Sequence, residues 1–340
     1  MVPRWVMGIA ATAAVVAAID VTVFFAARGG TPPAAARSDQ SVDLVAVIDP
    51  TSTRVVDRVQ VGHTPTTIAA GYGGVWVLNK GDGTLTRIDA RAHRVVETVP
   101  LDLTANDLTI GDGGIWLVGR LRGDVAHPLD YAKLERIDPA SGRIDRRFET
   151  SIGASVIAVG GNALWSTGFL AGHVRGAARS DTRNGAMRTV NIEIYGDLLV
   201  ADDTAAYWVS SIASQVARVS TRTGRLTNSL PLATDASLAA GRLPPNPTDV
   251  ALGGGALWIS AVDGSVIRVD PNLHGIVASI PVCRNALALT YGEGAVWVAC
   301  GDSTVVRVDP KTGTARPPIH VGGLPRGIAA AGGAVWVTLN

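Results

Sequence analysis

Residues able to do chemistry are few and scattered in this 340-residue chain. Its six histidines are His63, His93, His127, His173, His274 and His320. None stands in a His-x-His or His-Glu-x-x-His arrangement, the spacings that bring two imidazoles to one metal, so no zinc site is signalled. No Gly-x-Ser-x-Gly elbow offers an activated serine, and no Gly-rich loop ending in Lys offers a phosphate cradle. No motif names a cofactor. The densest polar run lies within residues 118–133 and holds Arg120, Arg122, Asp124, His127, Asp130, Tyr131 and Lys133. Such a mixture of guanidinium, carboxylate, imidazole and phenol suits a charged ligand or a protein surface, and it equally suits a solvated loop.

What must position these residues is a repeat. Trp76, Trp116, Trp165, Trp208, Trp258, Trp297 and Trp336 each follow a turn, Gly-rich in most copies, at spacings of 40, 49, 43, 50, 39 and 39 residues. A period near forty decides the architecture before any single residue does. Eight residues before each Trp stands an aliphatic side chain: Ile68, Leu108, Ile157, Val200, Val250, Leu289 and Ile328. Each copy reads as four strands. In the fifth these are the first strand around Asp249–Leu252, a Gly-rich hairpin turn, the Trp strand, a third strand at Ser265–Val269 and a fourth at Ile276–Pro281. Elsewhere the third and fourth are joined by an Asp-Pro-x-x-Gly turn, as at Asp309–Gly313, where Asp can bond the backbone two residues on.

The Trp strand is apolar without alternation, as in Val296-Trp-Val298, which implies burial on both faces. Four-stranded units stacked around an axis meet that condition, so the expectation is an all-β, seven-bladed β-propeller with the tryptophans packed between blades. The Arg before Ile/Val-Asp recurs at Arg87, Arg136, Arg268 and Arg307 and reads as structural, snorkelling beside a turn. Residues 43–62 match only third and fourth strands, and residues 327–340 only first and second. Pairing these halves completes the seventh blade and removes the exposed sheet edges of an open ring.

Residues 1–27 differ from the rest. Arg4 precedes 23 residues, Trp5 to Ala27, with Asp20 as the single charge. As a helix that stretch spans about 34 Å, enough for a bilayer core and longer than a signal-peptide core. A membrane anchor is therefore favoured over a cleaved signal, for which Ala34–Ala36 offers the site; either way the remainder is exported. Residues 28–42 read as a flexible linker and 43–340 as the propeller. The net charge of +1, from 30 basic and 29 acidic residues, gives no electrostatic case for nucleic acid, and the propeller is expected to be monomeric. Cys283 and Cys300 flank the first hairpin of the sixth blade, which brings them near each other. In an oxidising compartment that favours a disulfide over two free thiols.

The Val-Gly…Pro-x-x-Ile-Ala-x-Gly-x-Gly-x-Val-Trp-Val-x-Asn…Arg-Ile-Asp pattern of residues 61–89, repeated in 294–313, resembles the YVTN-type propeller repeat family. The resemblance covers about residues 43–340, with blades three and four divergent. It implies seven blades, often exported, and mostly ligand- or partner-binding scaffolds. Streptogramin lyases, a related group, use a His base and a carboxylate-bound metal; no His motif here matches theirs.

Two functions follow as expectations. One is a membrane-anchored, non-catalytic scaffold for an unidentified protein or small-molecule ligand. The other is a lyase or lactonase with a His/carboxylate-metal centre at the central opening. Insertions at 118–133, 168–177 and 233–246 all fall on the face of second-to-third and fourth-to-first loops. Long loops on a rigid scaffold are where binding concentrates, so that face is the expected recognition surface.

Overall fold

Seven four-stranded antiparallel sheets make up the described residues, six of them with their strands in hairpin order. The computed structural model describes residues 43–123, 131–150, 153–169, 175–192, 194–233, 241 and 243–340. No helix occurs among them. Blade one runs from Pro65 to Pro100, blade two from Leu103 to Thr150 and blade three from Gly153 to Val190. Blade four spans Leu198–Pro231, blade five Pro247–Pro281 and blade six Ala286–His320. Blade seven is composite, ordered Arg54–Gln60, Leu44–Asp49, Ala334–Leu339, Pro325–Ala331. Val47 pairs with Trp336 in that sheet, which closes the ring as the two half-repeats require. The first strands of successive blades touch all the way round, including blade seven against blade one, so they form the inner wall.

The repeat residues explain the blades. All seven repeat tryptophans are buried, at 1% exposure or less. Five indole N–H groups donate to the carbonyl five residues earlier: Trp116 to Gly111, Trp165 to Gly160, Trp258 to Gly253, Trp297 to Gly292 and Trp336 to Ala331, at 3.0–3.1 Å. That bond fastens the indole to the end of the first strand, which is why the Trp sits at a fixed distance after the turn. Trp76 and Trp208 have no such partner. The turn itself is a two-residue hairpin with both φ positive, as at Tyr72 (53°) and Gly73 (74°) or Gly254 (59°) and Gly255 (72°).

The repeated arginines do more than snorkel. Arg87, Arg179, Arg268 and Arg307 each stand directly across the hairpin from the Trp of their blade. Their guanidinium carbons lie 5.3–5.9 Å from the indole centroids, within cation–π range. Arg136 faces Trp116 in the same register and instead bonds Asp145 and the Gly113 carbonyl.

Two expected loops turn out to be strand in part. The second strand of blade two continues to Leu121 and the third begins at Ala132. In blade three, Gly168 pairs with Gly176 and Phe169 with Arg175. The described ends of these two insertions therefore lengthen hairpins, because paired backbone satisfies its polar groups where a free loop must find other partners. Blade six has the opposite feature: its fourth strand is only Ile319–His320, since Pro317 and Pro318 cannot donate to a ladder.

Candidate functional site

Each first strand begins at the loop face, where the fourth-to-first and second-to-third loops lie, and ends at the tight turns of the opposite face. The seven first strands enclose a central cavity of about 640 Å³. Its wall includes Thr66, Asn106, Asp107, Ser155, Asp197, Thr248, Asp249 and Arg326, with aliphatic residues deeper along the strands. The polar groups lie toward the loop face, so the mouth that can select a ligand opens there.

Asp107 and Asp249 occupy the same repeat position, nine residues before the Trp of blades two and five. Each carboxylate joins two blades. Asp107 accepts the amide of Leu108 at 2.8 Å and that of Ile157 in blade three at 3.0 Å. Asp249 accepts Val250 at 2.8 Å and Leu289 in blade six at 2.9 Å. Although both side chains touch channel solvent, protein surrounds them. Burial outweighs these bonds and pushes both carboxyls from 3.8 up to about 6. Lys80 pulls Asp107 down, whereas the charge of Asp107 pushes Asp249 further up. Asp197 is committed to the Ser211 amide and hydroxyl.

Of the expected loop cluster, Asp124, His127 and Asp130 lie outside the described residues. Arg120 is a strand residue opposite Thr104. Arg122 donates from one guanidinium nitrogen to the carbonyls of Asp82, Gly83 and Leu101, at 3.2–3.5 Å. It therefore ties blade one to blade two and helps line a second hollow of about 270 Å³ with Lys80. An alanine at Arg122 removes that tie as well as a charge, so an effect on binding there is not separable from one on stability. Lys133 bonds Glu149 at 3.3 Å. Its bonds to Glu149 and Tyr131 outweigh burial and hold its ammonium above the usual range, while burial raises the Tyr131 phenol. Behind this group Glu135 is wholly buried and pairs with Arg147 at 2.8 Å; burial raises its carboxyl against that pairing.

The described histidines do not converge. His63 bonds Asp43 at 2.7 Å, which raises its imidazole, and its amide meets Asp82. His93 and His274 pair with Asp57 and Asp270 near third-to-fourth turns. His320 is exposed on blade six. Among the described residues no three His, Cys, Asp or Glu are grouped to hold a metal. Cys283 and Cys300 form a disulfide with Cα atoms 6.4 Å apart, as expected. Beside it Gly264 has φ of 81°, and a Cβ there would come within 1.7 Å of the Cys283 carbonyl.

No family model matches the chain, and no curated protein matches it. Solved structures do. The fold is a seven-bladed β-propeller. It is similar to the WD40 domain of Neurospora crassa Pan2, at 10% identity and a TM-score of 0.60 over 82% of this chain and 90% of that one. It is also similar to apo AztD from Citrobacter koseri, at 13% identity and a TM-score of 0.60 over 89% of this chain and 97% of that one. At these identities the propeller likeness concerns fold alone.

The channel residues are the part that sequence reasoning missed. A signal existed: the propeller repeat carries Asp nine residues before Trp in two copies and Arg ten before it in one, at Arg326. These exceptions to the repeat stand at positions that line the channel.

Proposed function

We propose that this chain is a YVTN-type propeller, exported and held at a membrane by residues 1–27, that binds a ligand or protein partner without catalysis. The observation that carries the reading is the polar mouth of the central cavity, which opens on the loop face. The lengthened hairpin of blade two, with Arg122, Tyr131 and Lys133, stands on that face. The tight two-residue turns leave the opposite face little to grip with. A propeller scaffold fits a binding role, since rigid blades hold loops and channel residues in place without chemistry of their own. The disulfide fits an oxidising compartment. Residues 1–42 lie outside the described residues, and no helix among the described ones is long and apolar enough to cross a membrane.

The test is site-specific photo-crosslinking in intact cells, with the reactive side chain placed at Tyr131 on the loop face or at Lys311 on the turn face. Adducts from position 131 and none from 311 support the reading. Adducts only from 311, or from neither, overturn it.

A further inference from the structure

We propose that the central channel holds a small zwitterion, an amino acid or a short peptide with free ends, its ammonium between Asp107 and Asp249 and its carboxylate on Arg326. This deepens the binding reading above and rests on it.

The repeat supplies its own control. Five blades place Thr, Gly or an aliphatic residue where blades two and five place Asp, and all seven close the same ring. Ring closure therefore does not require an acid at this position, although each of these two ties its blade to the next. A carboxylate has about four lone-pair sites, and each Asp spends two on backbone amides, so acceptor capacity remains at the channel wall. The two charges sense each other across the cavity. An ammonium placed between them would relieve both their repulsion and their lost hydration.

Arg326 supplies the opposite pole. It is exposed, lines the same cavity and has no hydrogen bond or ion pair among the described residues. Blade seven stands two blades from blade two and two from blade five, so Arg326 faces both acids from the remaining arc of the ring. Its register is one residue nearer the loop face than that of the acids, about 3.3 Å along a strand. The mouth thus carries Arg326, with Asp197 held by Ser211, and the channel below it carries the two acids. A ligand with one charge of each sign finds a partner for both, whereas a pure anion meets the acids and a pure cation leaves Arg326 unmatched. The volume of about 640 Å³ lies in the range of small-molecule sites. For a metal ion the wall offers partly used carboxylates, and among the described residues no three His, Cys, Asp or Glu are grouped to hold one.

Other charges facing the site are Asp197, held by Ser211, and Lys80, which acts on Asp107. Because both acids titrate near 6, affinity for an ammonium should fall as the pH drops below that value.

The experiment screens the full chain in detergent micelles with pools of free amino acids and unblocked dipeptides, by thermal shift and then titration calorimetry. At least one compound should bind. Its N-acetyl form and its amide should each bind at least tenfold more weakly. Asp249→Asn should erase the discrimination against acetylation. Arg326→Gln, at an exposed position, should melt as the parent does and erase the discrimination against amidation. Failure of every compound to bind, or equal binding of the acetylated form, overturns the inference. The two readings separate cleanly: crosslinks at position 131 with no zwitterion bound leave the loop-face reading standing and remove only this one.

Discussion

His93 stands edge-on to Trp336, with ring centroids 5.1 Å apart and planes at 87°. One belongs to the third-to-fourth turn of blade one and the other to the C-terminal strand of the sequence, so the contact is made only in a closed ring. Asp57, from the N-terminal half-blade, pairs with the same imidazole at 3.4 Å. Both ends of the chain thus meet at one histidine.

Closure should accordingly dominate stability. Deleting residues 43–62 exposes the edge of Ala334–Leu339 and leaves Trp336 without its cross-strand neighbour Val47. Loss of a cooperative melting transition is expected. His93→Ala should cost only about 1 kcal/mol, the size of one aromatic contact. A truncated chain that melts like the parent would refute closure by the N-terminal half-blade.

The indole bonds allow a paired comparison. Trp258→Phe and Trp76→Phe remove similar volume, but only Trp258 donates to a carbonyl, that of Gly253. Trp76→Phe also removes a buried donor that has no acceptor. Trp258→Phe should therefore be the more destabilising by about 1–3 kcal/mol in denaturant unfolding. Equal costs would show that the indole bond does not fasten the hairpin.

The channel acids set a pH dependence whose sign is fixed by their direction of shift. Their carboxyls bind protons more tightly in the folded protein, near 6, than at the ordinary 3.8. Their contribution to stability is full below 3.8 and is lost as the pH rises through 6, by at most about 3 kcal/mol each. Asp107→Asn with Asp249→Asn should flatten the stability profile between those values, whatever the double change does to its height. A profile unchanged in slope would show that these groups are not desolvated.

The disulfide closes a 17-residue separation. Cys283→Ser with Cys300→Ser should cost about 3 kcal/mol by the loop-entropy argument. Both thiols should resist labelling in unfolded, unreduced protein. Ready labelling without reductant would show the pair to be open.

Location is checked in intact cells. External protease should reach the propeller while the chain remains with the membrane fraction. A shortened form in the medium, beginning near Ala36, would instead favour secretion after cleavage.

Much of the architecture was legible in one dimension. Seven tryptophans, seven aliphatics eight residues before them and the Gly-rich turns are local necessities: a two-residue hairpin needs positive φ, and a strand covered on both faces must be apolar along its length. The split seventh blade was legible too, because an unfinished repeat at each end has one economical completion. The cysteine pairing followed from the same register, since the hairpin places Ala286 opposite Cys300. Arg122 shows where local reading stopped. Its type suggested a ligand, and the fold spends it on carbonyls of the preceding blade. Asp107, Asp249 and Arg326 show it more sharply. Along the chain each is an ordinary polar residue in the first strand of its blade, far from the other two. Ring closure turns the seven first strands toward one axis, and only there do these two acids and the arginine share a cavity. The repeat period determined that such an axis exists; which charges meet on it, and how far burial moves them, was decided by the closed tertiary structure.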